Sequence, residues 1–358
     1  MALWHGAERA MTLGAVVTLL LGCGEAATTS DGSTGTPSGG SGGSGGMVAT
    51  GGMTGATGGA TGGTSSTTTL VSSSSTGNPP FVLDVHTALA PGGGLELTTN
   101  LPAHQEGCLA VPFEGVPCGD LDQDGLTDAW EDVVIDRLRP LLRLDEEESL
   151  VNDPAFVIAN VARVAPDPVD VTAVRALMMI GYSKDFGSCG FTAHNGDSER
   201  VALNLKLVGV EGNVTVLAAY TAAHEGTPSD HGKMVEGSDL AGLVYENDAA
   251  TGEPRWVVFP SQDKHGTYAT VEICENISFV PCFDEDCGPD NVADPKAFDR
   301  LPPYVNAGEE SHPLVTDLTS IGFAGDDAWA NQDFCGGLGG SGCSAPVRDK
   351  LLNDPFGP

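Results

Sequence analysis

The sequence predicts a mainly β protein: a β-sandwich with flanking helices, carrying a calcium-loop helix at its N-terminal side. Three observations predict it. Several apolar runs alternate with period two, Gly- and Pro-rich segments connect them, and one run of helical period follows directly on an acidic loop. The candidate strands are "FVLDVH" (81–86), "RVALNLKLVGV" (200–210), "NVTVLAAYTAA" (213–223), "LAGLVYE" (240–246), "RWVVFPS" (255–261) and "YATVEIC" (268–274). Strands of this length, joined by turn-forming residues, fit two packed antiparallel layers. The helix begins near Thr127 and places Trp130, Val133, Val134, Leu138 and Leu141 at helical spacing. A further run, "VDVTAVRALMMIGY" (169–182), fits either a helix or a strand.

The chain divides before the folded part begins. Residues 1–22 contain the apolar run "MTLGAVVTLLLG", short for a membrane span and suited to a secretory signal. That run ends "LLGC", which has the pattern of a bacterial lipobox, with Cys23 as the lipid-modified residue. The alternative is an ordinary signal peptide with an incidental cysteine. Residues 23–78 are nearly all Gly, Ser, Thr and Ala, too polar to bury a core, and form a tether reaching about 40 Å by coil scaling. The folded part reads as an N-terminal segment (79–119), the calcium loop with its exit helix (120–144), and a disulfide-stapled β-sandwich domain (145–358). The expected location is the bacterial cell envelope, after export, with a lipid holding the chain to a membrane.

Net charge and cysteine count narrow the function classes. With 49 acidic and 16 basic residues the formal charge is −33, which cannot neutralise phosphates, so nucleic acid is excluded as a partner. Nine cysteines are present; setting Cys23 aside leaves an even set of eight. Short-range spacing suggests Cys108–Cys118, Cys282–Cys287 and Cys335–Cys343, leaving Cys189 with Cys274. The cysteines lack the paired C-x-x-C knuckles of a zinc site.

"DLDQDGLTDAWE" (120–131) matches a twelve-residue calcium loop position by position. Asp120, Asp122 and Asp124 stand at positions 1, 3 and 5, Gly125 at the turn, and Leu126 at the backbone-carbonyl position. Asp128 and Glu131 fall at positions 9 and 12, where a bidentate carboxylate closes the shell. The segment before it, "FEGVPCG", does not read as an entering helix. A single loop with an exit helix favours a structural staple over a regulatory pair. The competing reading is an acidic helix-capping loop.

"HNGDSERVALNL" (194–205) raises a second question. On a strand, Asp197, Glu199, Val201, Leu203 and Leu205 share one face, so two carboxylates stand at the end of a row that reads as core. Such a pair requires compensation. A divalent ion, an ion-pair network with Lys184, Arg200 or backbone amides, and a catalytic acid/base pair each supply it. Nearby in the sequence are Asp185 in "GYSKDFGSC", His224 in "AAYTAAHEG", and Lys264 and His265 in "VVFPSQDKHGTY".

Taken in order, these segments resemble the hallmarks of the necrosis-inducing NLP-type (NPP1) proteins. The His-x-Gly-Asp-x-Glu strand and "RLRPLLRLDEEE" (137–148) are similar to segments of the fungal Vps62-like proteins. The resemblance spans about residues 136–270. It implies a Ca2+ or Mg2+ ion at one sandwich end, held by Asp185, His194, Asp197 and Glu199. It also raises the interest of His224 and His265. Two hallmark positions depart: Gly196 replaces a histidine and Ser198 a tryptophan. The cation therefore carries over better than membrane lysis does.

The functional expectation is a surface-tethered, cation-binding and non-enzymatic module for a glycan or lipid head group. One alternative is a metal-dependent hydrolase with His224, His265 or Lys264 as catalytic candidates beside the ion. It lacks a nucleophile motif: the folded part holds no G-x-S-x-G, the matches at 39–43 and 42–46 being low-complexity tether, and Ser261 has no elbow glycines. The other alternative is a purely structural envelope protein.

Overall fold

The computed structural model describes residues 80–110, 115–149, 158–187, 194–209, 211–223, 225, 231–275, 285–288, 299–300, 304–307 and 350–357. Strands β1 (Val85–Leu89) and β2 (Leu95–Thr99) form a hairpin, followed by the short helix α1 (Gln105–Leu109), helix α2 (Asp128–Leu138) and strand β3 (Leu141–Arg143). The long strands come next: β4 (Ile158–Pro166), β5 (Ala173–Asp185), β6 (His194–Val208) and β7 (Asn213–Thr221). Then follow β8 (Lys233–Glu236), β9 (Tyr245–Asn247), β10 (Pro254–Pro260), β11 (Thr267–Tyr268), helix α3 (Val271–Glu275), β12 (Asp299–Arg300) and β13 (Tyr304–Asn306). The larger sheet runs β1-β2-β7-β6-β5-β4-β13, with β8 also on β7; the smaller runs β11-β10-β3-β12, with β9 also on β10. The fold is mainly β with flanking helices, as the sequence predicts.

One core joins the layers. Val174, Ala176, Met178, Ile180 and Tyr182 of β5 share it with Val201, Leu203 and Leu205 of β6. Facing them are Trp130, Val134, Ile135 and Leu138 of α2, and Leu142, Trp256 and Val258 of the smaller sheet. Each aliphatic side chain so buried contributes about 1.5–3 kcal/mol. The predicted face of β6 is therefore the inner one.

The ambiguous run 169–182 is a strand because both of its faces are covered. Leu177 and Met179 are buried on the outer face as well, so no clean alternation survives in the sequence. Part of the cover there is the segment 350–357. Arg200 Nη1 donates to the carbonyls of Asn353 at 2.5 Å and Lys350 at 3.2 Å, while Arg175 Nε donates to Asp354 Oδ2 at 2.9 Å.

Several expectations need correction. "FVLDVH" pairs only from Val85 onward, and "LAGLVYE" opens as a 3₁₀ turn, Gly237–Gly242, before β9. "YATVEIC" supplies just two strand residues and then turns helical in α3. Leu141 lies beyond α2, because Pro140 cannot continue the helix and β3 starts there. Among the disulfides, Cys108–Cys118 forms as expected, but Cys274 bonds Cys287 with Cα atoms 6.1 Å apart. This overturns both Cys282–Cys287 and Cys189–Cys274. Spacing favoured the nearer cysteine, whereas the fold brings α3 against the segment that holds Cys287. Cys335 and Cys343 lie outside the described residues.

Candidate functional site

The acidic loop builds itself from local geometry. Gly125 adopts φ +95°, which a side chain would strain, and its N–H donates to Asp120 Oδ2 at 3.1 Å. The Leu126 N–H donates to Asp124 Oδ1 at 2.9 Å, and the Leu121 N–H to Asp128 Oδ1 at 3.1 Å. A short antiparallel bridge between His104 and Leu126 ties the loop to the α1 side through the Gly125 carbonyl and the Thr127 N–H. The bridge leaves the Leu126 carbonyl, the position-7 donor, unused.

Ligand oxygens of Asp120, Asp122 and Asp124 lie within 4.8 Å of one another, as do those of Asp122, Asp128 and Glu131. Asp120 Oδ1, Asp122 Oδ1, Asp124 Oδ2 and both Glu131 oxygens are buried and accept no hydrogen bond. Burial first, then the charges of Asp124, Asp122 and Asp128, push the Glu131 carboxyl up to about 9. Burial likewise lifts Asp124 to about 6, although its bond from the Leu126 N–H works the other way. The charge of Arg163 opposes these shifts without overcoming them, and the buried oxygens accept no hydrogen bond. An all-oxygen set at this spacing fits a hard divalent ion such as calcium. Helix α2 then anchors the loop: Trp130 Nε1 donates to the Gly212 carbonyl at 2.7 Å. At Gly212 an added Cβ would stand 2.2 Å from that nitrogen, which explains the glycine.

The opposite end of the larger sheet is organised differently. The β5–β6 register sets Asp185 across from His194, Tyr182 across from Asp197, and Ile180 across from Glu199. Glu199 is buried, and the Asp185 carboxylate accepts from the Gly187 N–H at 2.5 Å. His265 is 0% exposed and stacks on Tyr182, with ring centroids 4.1 Å apart. Its Nδ1 lies 3.4 Å from Asp197 Oδ2 and its Nε2 3.8 Å from Glu148 Oε2. Burial alone would lower the imidazolium, but the hydrogen bonds and charges of Asp197 and Glu148 outweigh it and raise His265 to about 10. For Asp197 burial is the largest single effect and acts upward, but the hydrogen bond and charge of His265, the charge of Lys350 and the Ser198 N–H together exceed it and leave its carboxyl below the usual range.

The turn carrying His265 is strained and well tied. Both Asp263 and His265 have φ of 61°, uncommon for residues with a Cβ. The Asp263 N–H donates to Glu148 Oε2 at 2.9 Å, and its side chain accepts from the Ser149 N–H at 3.0 Å. Lys264 Nζ lies 3.5 Å from Glu285 Oε1.

The structure therefore unites Asp120, Asp122, Asp124, Asp128 and Glu131 in one loop, and joins Asp197 to His265. Among the described residues, Asp185, Asp197 and Glu199 form no comparable carboxylate cluster. His224 lies outside the described residues, as does the side chain of His194. Glu148 and Tyr182 escaped sequence reasoning. Glu148 closes the run "RLRPLLRLDEEE", and nothing local marks its burial.

No family model matches the chain, and no curated protein matches it. A solved structure described as "Toxin fold for microbial attack and plant defense" is similar over 49% of this chain and 74% of its own length. The identity is 13% and the TM-score 0.27. A likeness this remote carries no inference about this chain.

Proposed function

We propose that this chain is a calcium-stapled β-sandwich module of the cell envelope. It is exported, held by a lipid on Cys23, and serves a binding rather than a catalytic role toward a glycan or lipid head group. One observation carries the reading: five buried carboxylate oxygens of Asp120, Asp122, Asp124 and Glu131 converge without a hydrogen-bond donor. Asp120, Asp122, Asp124, the Leu126 carbonyl, Asp128 and Glu131 would hold the ion. The disulfides Cys108–Cys118 and Cys274–Cys287 support an oxidising compartment. The burial of His265 between two carboxylates supports a positioning role, since a general base must reach its substrate.

A second reading places Ca2+ or Mg2+ at Asp185, His194, Asp197 and Glu199. The register that sets Asp185 beside His194 favours it. Thermal unfolding of the oxidised full chain with calcium, magnesium or chelator separates the two. Calcium at 100-fold above its Kd adds about 2.7 kcal/mol. With the loop as the one ion site, Asp122→Asn abolishes the shift while Asp197→Asn leaves the calcium increment intact. If Asp197→Asn removes part of that increment, the second ion site exists. If calcium produces no shift in the parent chain, the staple reading is wrong.

A further inference from the structure

The acidic loop is held unequally at its two ends. Downstream, α2 carries Asp128 and Glu131 against the core, where Trp130, Val134 and Ile135 are buried and Trp130 is tied to Gly212. Upstream, residues 116–120 enter the loop in neither helix nor strand, so Asp120 and Asp122 are not carried by an entering helix. They are held from α1 instead. Cys118, just before the loop, is bonded to Cys108 of α1, and the Cys118 carbonyl accepts from Gln105 Nε2 at 3.3 Å. Helix α1 is in turn fixed to the far side of the loop. The Gln105 N–H donates to the Gly125 carbonyl at 3.3 Å, the Thr127 N–H to the Ala103 carbonyl at 2.9 Å, and Thr127 Oγ1 to the Pro102 carbonyl at 3.1 Å. The disulfide thus closes residues 108–118 into a ring that ends at the start of the ligand set.

That ring opposes a force the loop generates itself. Ligand oxygens of Asp120, Asp122 and Asp124 lie within 4.8 Å of one another, and like charges this close repel. Inside the loop the Asp128 N–H reaches the Gly119 carbonyl at 2.9 Å, but Asp128 is itself one of the repelling carboxylates. A divalent ion and the disulfide therefore restrain the same two side chains, one by neutralising them and the other by limiting where their backbone can go. Two restraints on one segment are coupled: each lowers the ordering cost left for the other.

The two disulfides also differ in access. Cys118 is half-buried between the exposed residues Pro117 and Gly119, whereas Cys274 and Cys287 are 0% and 1% exposed. Thiol–disulfide exchange needs a thiolate to reach a sulfur, so a reductant in solution meets the first bond long before the second.

We propose that the Cys108–Cys118 disulfide gates the calcium loop: its closure arms residues 120–131 for calcium, and a dithiol reductant disarms them. The inference rests on the reading of residues 120–131 as a calcium loop. In the disarming step one thiolate of the dithiol attacks Cys118 Sγ, the disulfide breaks, and Cys108 leaves as a thiolate. The second sulfur of the dithiol then displaces Cys118. The products are two cysteine thiols, which take up the dithiol's two protons, and one oxidised dithiol. Arming is the reverse exchange, with a small disulfide as oxidant. Under the export proposed above, the loop stays unarmed while its cysteines are reduced and becomes competent where disulfides form. Linkage makes the coupling reciprocal: calcium protects the bond from reductant by the factor by which the bond raises calcium affinity.

The test titrates calcium calorimetrically into the oxidised full chain and into two double variants, Cys108→Ser with Cys118→Ser and Cys274→Ser with Cys287→Ser. Loss of the first bond should weaken calcium binding about tenfold or more. Loss of the second should lower the melting temperature and leave calcium affinity unchanged. The parent chain carries the reciprocal measurement, which decides the matter if a serine variant fails to fold. In buffers of reduced and oxidised dithiothreitol, alkylation of freed thiols and mass spectrometry read each bond separately. Cys108–Cys118 should open first, and saturating calcium should raise the dithiothreitol ratio that opens it by the same factor, with no such shift in Asp122→Asn. Equal calcium affinity with and without the bond overturns the gate. So does calcium that protects both bonds equally, which would assign the protection to global stability. Calcium binding by the parent chain without any effect on reduction defeats the gate alone, whereas a parent chain that binds no calcium defeats the loop reading beneath it as well.

Discussion

The two ends of the larger sheet handle buried carboxylates in opposite ways. At one end, residues 120–131 gather their carboxylates from a single stretch of chain, and several oxygens accept nothing from the protein. At the other, Asp197 Oδ2 accepts no well-formed hydrogen bond either, but it and Glu148 come from distant segments and stand 3.4 and 3.8 Å from the nitrogens of His265, a cation the chain itself supplies. On the proposed reading an ion from solution completes the first arrangement. The second is an internal ion pair, stiffened by the stack on Tyr182 and by the two left-handed residues of its turn. Buried acidic groups thus do not by themselves indicate a metal; the deciding feature is whether a protein cation already stands among them.

The largest expected effect comes from removing that internal cation. His265→Ala leaves Asp197 and Glu148 facing each other in the core, and should cost about 3–5 kcal/mol, read by denaturant unfolding in saturating calcium. A loss below 1 kcal/mol would mean that something else, an ion included, neutralises the pair, and the contrast between the ends would collapse.

A pH series sharpens the contrast with a smaller, graded effect. His265 is raised from 6.5 to about 10, so its stabilising contribution is full below pH 6.5 and disappears as pH climbs through about 10. Asp197 is lowered from 3.8, so its share is present above that value and lost in acid. Without an ion, Glu131 holds its proton up to about 9, and calcium must displace it, so affinity at the loop rises with pH. Alkali should therefore lower the melting temperature in chelator while enlarging the increment that calcium adds. Parallel curves with and without calcium would contradict the assignment.

The smallest effect concerns the strut between loop and sheet. Trp130→Phe removes the bond to the Gly212 carbonyl and should cost about 1–2 kcal/mol. Calcium affinity should fall modestly and the pH dependence of the His265 end should stay unchanged. A change in both would show the two ends to be coupled through the core.

The sequence by itself determined the acidic loop, because all five carboxylates lie within twelve residues and the spacing encodes the cluster. It also determined the inward row of β6 and the Cys108–Cys118 bond, which depend on alternation and short separation. Only the tertiary structure decided what partners Asp197. Its neighbours Glu148 and His265 lie 49 and 68 residues away in sequence, and neither carries a local mark of burial. The same holds for "VDVTAVRALMMIGY", whose strand character follows from cover on both faces, and for Cys274 with Cys287. In each case the deciding contact is made by a segment remote in the chain, and no local pattern records what that segment brings.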